Sequence, residues 1–480
     1  MKRVAVLWFA ISLLGLSCAS IPQPVAADQT GSDDASSDAV QLNAFEEIVK
    51  HGTAQQVREA IEVGADVHAR FENGRTALMR AASWNESREV TATLIDAGAE
   101  INARADDGVT ALMLAAMWNA NSEVTRALLA AGADVTARAE DGWTALMLAA
   151  SRNENSEVTT ILIDAGANVN VRDDEYGGTA LMWAAGHNPN PEVIPALIAA
   201  GAEVDAVDEN GWTALIWAVE RNGDAELITA LLASGADVDA RTHDGRTALM
   251  LAAESNENRE VTAALLAAGA NVNARTEDGW TALMIAASNN RNPEVTATLI
   301  AAGAEVNART GEGWTALMGA VTHNENPEVT AMLINGGAEI NARNEDGWSA
   351  LMIAAQSNQD PQVTSALLAA GADVSARRKD GLTALMAAVG NNKNPEVTSA
   401  LLAAGADVST RAEGGLTALM IAAMFNENLE VVGEVVNKLL DAGADGAAES
   451  HEGKTAFDYA QENEALRGTA AYWRLNDARF

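Results

Sequence analysis

Six histidines, His51, His68, His187, His243, His323 and His451, are the side chains of this sequence best suited to acid–base or metal chemistry, and each stands alone. None has a cysteine, a second histidine or an acidic partner at the spacing of a metal site or a catalytic pair. There is no glycine-rich phosphate loop, no Gly-x-Ser-x-Gly elbow and no His-Glu-x-x-His. The acidic run Asp173-Asp174-Glu175 could attract calcium, yet it lacks the Asp-x-Asp-x-Asp-Gly order of a calcium loop and reads as a solvated turn. The sequence therefore predicts no catalytic residue, no metal site and no cofactor, and points away from an enzyme. What remains for recognition is a set of 11 tryptophans and scattered arginines, the residue types that most often anchor a binding interface.

Those residues recur with a period. A motif of the form Asp141-Gly142-Trp143-Thr144-Ala145-Leu146-Met147-Leu148-Ala149-Ala150 returns along the chain, its hydroxyl residue falling at Thr76, Thr110, Thr144, Thr179, Thr213, Thr247, Thr281, Thr315, Ser349, Thr383, Thr417 and Thr455. Differences between neighbours are 34, 34, 35, then 34 seven times, then 38. A fixed period of this size marks a solenoid, in which each unit leans only on its neighbours and the core lengthens unit by unit. Packed helices lie about 8–10 Å apart, so the array should be a curved rod on the order of 100 Å long.

Each unit can be read physically. Threonine is a good helix cap, and in Thr110-Ala111-Leu112-Met113-Leu114-Ala115-Ala116 the residues Leu112, Ala115 and Ala116 share one face of a short first helix. An asparagine follows in every full unit, from Asn85 through Asn153 and Asn290 to Asn426, where a left-handed residue would close that helix. Two residues later stands another capping type, as in Asn326-Pro327-Glu328, and a second helix begins. It stops at a glycine such as Gly303, and Ala304 to Gly313 then has extended and turn character, a hairpin-like finger. The arginines Arg104, Arg138, Arg241, Arg275, Arg309, Arg343, Arg377 and Arg411 are expected to pair with finger carboxylates. Two units are irregular: Asp173 to Gly178 carries one extra residue and no tryptophan, and four residues are added between Glu430 and Gly443, enough to lengthen a helix by about one turn.

The unit Asp-Gly-Trp-Thr-Ala-Leu-Met-x-Ala-Ala, followed by Glu-Val-Thr-x-x-Leu-Ile and Ala-Gly-Ala-Glu-Val-Asn-Ala-Arg, resembles the ankyrin repeat over roughly residues 41 to 480. Thr-Ala-Leu-Met stands where that family has Thr-Pro-Leu-His, and the period of 34 resembles a variant found in exported bacterial members. The resemblance implies an all-α repeat solenoid of helix pairs joined by β-hairpin-like fingers. It also implies that the residue before the threonine and the two after Ala-Ala face a bound protein. Here these include Trp143, Trp212, Trp280, Trp314, Trp348 and Arg246 on the fingers, with Trp84, Trp118, Arg152 and Arg221 after Ala-Ala. Trp280, Trp314 and Trp348 would form a stepped strip, whereas Trp183 and Trp217 lie inside first helices and are expected in the core. The alternative is that the same tryptophans stack on sugars and make a glycan- or peptidoglycan-binding surface.

The ends differ from the array. Lys2 and Arg3, an apolar run from Val4 to Leu16 and Val25-Ala26-Ala27 predict a signal peptide over residues 1–27, since a bilayer span needs about 20 apolar residues. A lipid anchor on Cys18, the single cysteine, is the lesser alternative because Gly15-Leu16-Ser17-Cys18 matches a lipoprotein box poorly. Residues 28–40 read as a disordered acidic linker with order beginning near Leu42, residues 41–70 as an N-terminal capping repeat, 71–449 as eleven repeats, and 450–480 as a closing helix pair with a more polar outer side. The formal charge is -36, or 29 - 67 = -38 without residues 1–27, which disfavours nucleic acid and suits a basic or apolar partner. The whole reads as an exported, periplasmic or secreted, monomeric scaffold with no membrane span that binds a partner protein.

Overall fold

The computed structural model describes residues 33–255, 259–324, 326–425 and 431–480. The signal peptide, Cys18, Asn256 and Asn426 lie outside the described residues. Among the described residues the regular elements are helices and no strand is present, the all-α repeat solenoid expected from the period. The order is a helix pair per unit, for example Ala145–Arg152 and Ser156–Asp164, then a connector to the next pair.

The two helices of a unit have different compositions because they meet different neighbours. Ala145, Leu146, Met147, Leu148, Ala149, Ala150 and Ser151 of the first helix are all buried, since it sits between the first helices before and after it and must be apolar on nearly every side. The second helix buries a narrower stripe, Val158, Thr159, Ile161 and Leu162. First helices pack more closely on one another than second helices do, and their alanines permit it, so the stack curves with the first helices inside. The Thr144 hydroxyl accepts from the Met147 amide at 3.3 Å and the Asn155 side chain from the Glu157 amide at 3.0 Å, which fixes where both helices begin.

Four readings need correction. First, Asp33–His51 is one helix, so residues 33–40 are helical rather than a disordered spacer. Second, the helix-ending asparagines are not left-handed: Asn153 has φ -82° and ψ 118°, and among the described non-glycine residues positive φ occurs at Asn73 alone. The Asn153 amide instead donates to Ala116 O at 2.9 Å and Asn119 O at 3.0 Å in the preceding repeat, while its oxygen accepts from the Asn155 amide at 3.0 Å. Asn119, Asn188, Asn324 and Asn392 do the same, and Asn463 joins the last helix pair to Ala423 O at 2.9 Å.

Third, the arginines mainly donate to backbone rather than to carboxylates. Arg241 reaches Arg275 O, Arg275 reaches Arg309 O and Arg309 reaches Arg343 O, at 2.8, 2.9 and 2.9 Å. Arg275–Glu305 and Arg309–Glu339 ion pairs, at 3.1 and 3.2 Å, are additional. The fingers are tight turns held by single bridges such as Arg138↔Thr144, and each leans on the next, as when the Glu140 amide donates to Asp107 O at 3.0 Å. Fourth, the added residues of the last full repeat extend its second helix, Val432–Asp441, only to 10 residues against 9 in Ser156–Asp164.

Candidate binding surface

The inner side of the curve is built from finger tips and the outward edges of first helices, and on three successive repeats it carries fused aromatic rings. Trp143 lies 4.6 Å from Trp183, Trp183 lies 5.6 Å from Trp217, and Trp217 lies 5.3 Å from Trp212, all between ring centroids. His187 sits against both central indoles at 5.4 and 5.8 Å, and Tyr176 meets Trp183 edge-on at 6.0 Å. Offset and tilted ring contacts of this kind contribute about 0.5–1.5 kcal/mol each beyond their buried area.

The irregular fourth repeat exists to seat this patch. A side chain at Gly178, in place of the usual tryptophan, would come within 2.8 Å of the Trp183 indole nitrogen, so the missing residue is the space the Trp183 ring occupies. Asp173 of that finger, only 4% exposed, accepts from Trp183 Nε1 at 3.0 Å and from the Glu175 and Tyr176 amides. Asp208, also 4% exposed, does the same for Trp217 Nε1 at 3.1 Å. Gly186 makes room for Trp217, whose ring would stand 3.1 Å from a β-carbon there. The first helix of that fifth repeat widens into a π turn over Ala218–Asn222, closed by the Gly223 amide on Ala218 O at 2.9 Å. Both of these indole N–H groups already have acceptors, so Trp183 and Trp217 have ring faces rather than donors to offer.

Charge is divided across the patch. On the finger side, loss of solvation raises the Asp141 carboxyl above its ordinary value; backbone amides oppose this, and the negative Asp173 and Glu175 add to it. On the helix-end side stand Arg152, which lies 5.8 Å over Trp118, and Arg221, 5.6 Å over Trp217. Crowding by the indoles holds the His187 imidazole below the ordinary 6.5, a contact with Trp183 opposing and Arg221 and Arg152 assisting. Its folded pKa is therefore below its unfolded one, so its contribution to stability is present above 6.5 and is lost as pH falls below that value. The urea midpoint of the wild type is expected to drop more between pH 7 and pH 5 than that of His187→Gln; equal drops would contradict the seating of the ring.

Of the residues singled out in the sequence, Trp84 and Trp118 are exposed, at 50% and 43%, as are Arg152 over Trp118 and Arg221 over Trp217. Trp143, Trp212, Trp280, Trp314 and Trp348 are half-buried and pack on the core. Trp280 and Trp314 line a groove of about 810 Å³ with Arg275, Arg309, Glu312 and His323, while Trp348 stacks under Arg378 at 4.5 Å. Arg246 points inward to an ion pair with Glu254. Trp183, read as core, is buried at 9% exposure, and Trp217, read likewise, is half-buried and packed on the core; together they make the centre of the ring cluster. The signals that could have found them were glycines in place of larger residues, Gly178 against Trp183 and Gly186 against Trp217.

A family model of ankyrin repeats in three copies matches the chain in overlapping windows that run from residues 44–139 through 215–310 to 385–468. The chain belongs to the ankyrin repeat family. Ankyrin repeats commonly mediate protein–protein interaction, and the family is generally non-catalytic. A comparison with curated proteins finds no match. In this ankyrin array, among the described residues, no group of three His, Cys, Asp or Glu side chains could hold a metal ion, and no helix is long and apolar enough to cross a membrane.

Proposed function

We propose that this ankyrin protein is an exported bacterial scaffold, periplasmic or secreted, that binds a partner polypeptide along its inner face without catalysis. The leader from Lys2 to Ala27 supports export. The observation that carries the binding reading is the ring patch of Trp143, Trp183, Trp212 and Trp217, with indole N–H groups of Trp183 and Trp217 already bonded to buried carboxylates. Such faces accept apolar, aromatic or cationic side chains, and the acidic finger side around Asp141 favours a basic segment. The groove at Trp280 and Trp314 continues the contact surface. The carboxylates nearest the two central rings, Asp173 and Asp208, are already engaged and do not turn toward a sugar's hydroxyls, which favours a protein partner over a glycan.

The test compares capture from the native envelope by wild type, by Trp212→Ala with Trp217→Ala, and by Trp280→Ala, Trp314→Ala with Trp348→Ala. One polypeptide, identified by mass spectrometry, should be lost at least tenfold in the first variant while helical circular dichroism persists, about the 1.4 kcal/mol or more expected of an anchor. Retention by both variants, or binding on a glycan array that the same substitutions abolish, would overturn the reading.

A further inference from the structure

One indole of the inner face already holds a guanidinium, supplied by the chain itself. Arg378, on finger 377–382, lies 4.5 Å over the Trp348 ring and pairs with Asp380 at 3.1 Å. A guanidinium on an indole face with a carboxylate beside it combines a cation–π contact with an ion pair. Two repeats earlier the same frame recurs without the arginine. Trp280 stands 68 positions before Trp348, Glu312 as far before Asp380, and Thr310 and Gly311 as far before Arg378 and Lys379. The turns match at both places. The Thr310 amide donates to Trp314 O at 3.0 Å and the Arg378 amide to Leu382 O at 2.9 Å, while the Gly313 and Gly381 amides close on Thr310 O and Arg378 O at 2.9 and 3.0 Å.

The side chains make the difference. The Thr310 hydroxyl turns back to accept from the Trp314 amide at 3.1 Å, and a β-carbon at Gly311 would meet nothing within 4 Å. Small residues thus replace two long cationic ones, and the space between the fingers is the groove of about 810 Å³ lined by Trp280, Trp314 and Glu312. Its charge suits the missing group. The carboxylates of Glu277, Asp278 and Glu312 line it, and among the described residues no lysine or arginine pairs with them. Its own cations, Arg275 and Arg309, are held by Glu305 and Glu339 at 3.1 and 3.2 Å and by backbone carbonyls of the next finger. Arg343 and Arg377 occupy the matching positions beside Arg378, so the arginine ladder tolerates a further guanidinium on the ring.

We propose that this groove receives one arginine side chain of the bound polypeptide, its guanidinium on the Trp280 ring and paired with Glu312 as Arg378 is with Trp348 and Asp380. That the arginine comes from a polypeptide rests on the function proposed above, whereas the site itself rests on the groove and its occupied counterpart. Lysine fits less well, because a compact ammonium does not stack flat on an indole.

The test is a nuclear magnetic resonance titration of the full chain, isotope-labelled at its indole nitrogens, with acetyl-Gly-Arg-Gly-amide and with the same peptide carrying uncharged citrulline. The Trp280 indole signal, assigned with Trp280→Phe, should shift and saturate with the arginine peptide and bind citrulline at least about fivefold more weakly. Glu312→Gln should weaken arginine binding by about fivefold. Thr310→Arg, which supplies a guanidinium from within as Arg378 does, should abolish it while helical circular dichroism persists. Arg378→Ala should do the reverse and make the Trp348 signal respond. The proposal is overturned if Trp280 stays still, shifts equally with citrulline, or responds unchanged in Thr310→Arg, and equally if Trp348 stays silent in Arg378→Ala. A polypeptide captured from the envelope while Trp280 stays still removes the arginine site and keeps the scaffold reading. Saturation at Trp280 with no polypeptide captured does the opposite.

Discussion

Asn153→Ala is expected to lower the stability of the array by about 2–4 kcal/mol, a large effect for one surface-distant polar residue, because three backbone groups, two in buried bonds and one in a part-buried bond, lose their partner at once. The groups are Ala116 O and Asn119 O of the preceding repeat and the amide of Asn155. Denaturant unfolding followed by circular dichroism measures it, and a change below about 0.5 kcal/mol would contradict the account. Asn153→Gly separates two explanations for the asparagine. If it served to hold a left-handed helix end, glycine would match or improve on it. With φ at -82° and ψ at 118° the backbone needs no such freedom, so glycine should be at least as damaging as alanine.

Trp183→Ala is the second large effect, an expected loss of about 3–5 kcal/mol from a nearly buried ring. The indole contacts Trp143, Tyr176, His187 and Trp217, so its removal loosens three repeats together. Trp183→Phe should restore most of the packing yet leave Asp173 Oδ2 without its indole donor, for a loss of about 1–2 kcal/mol. Stability of the phenylalanine variant equal to wild type would mean that the carboxylate does not position the ring.

These two residues also mark what could be read from the sequence. Caps, helix starts and glycine stops depend on neighbours a few positions away, so Thr144, Asn155 and Pro293 could be placed from local chemistry. The asparagines were visible as a repeating feature, but their acceptors lie a whole repeat away, as with the 34 positions between Asn153 and Asn119 O, and a local explanation displaced the correct one. The acceptors of the arginines are equally distant in sequence, since Arg275 meets Arg309 O only once the fingers stack. The Trp280, Trp314 and Trp348 strip drew attention through its regularity, whereas the aromatic centre formed where the pattern breaks, at Gly178 and the extra residue beside it. Regular repeats carry the architecture, and the irregular repeat carries the individuality of this surface.

That surface can be probed most directly by a photo-reactive side chain at one of two positions. Arg221 borders the ring patch and is exposed, while Thr160 is exposed on a second helix at the opposite side of the stack. With the reactive group at 221, illumination in the native envelope should join the chain to one polypeptide, and the group at 160 should yield no such product. Cross-linking from 160 but not from 221 would contradict the claim that the inner aromatic patch is where this ankyrin array holds its partner.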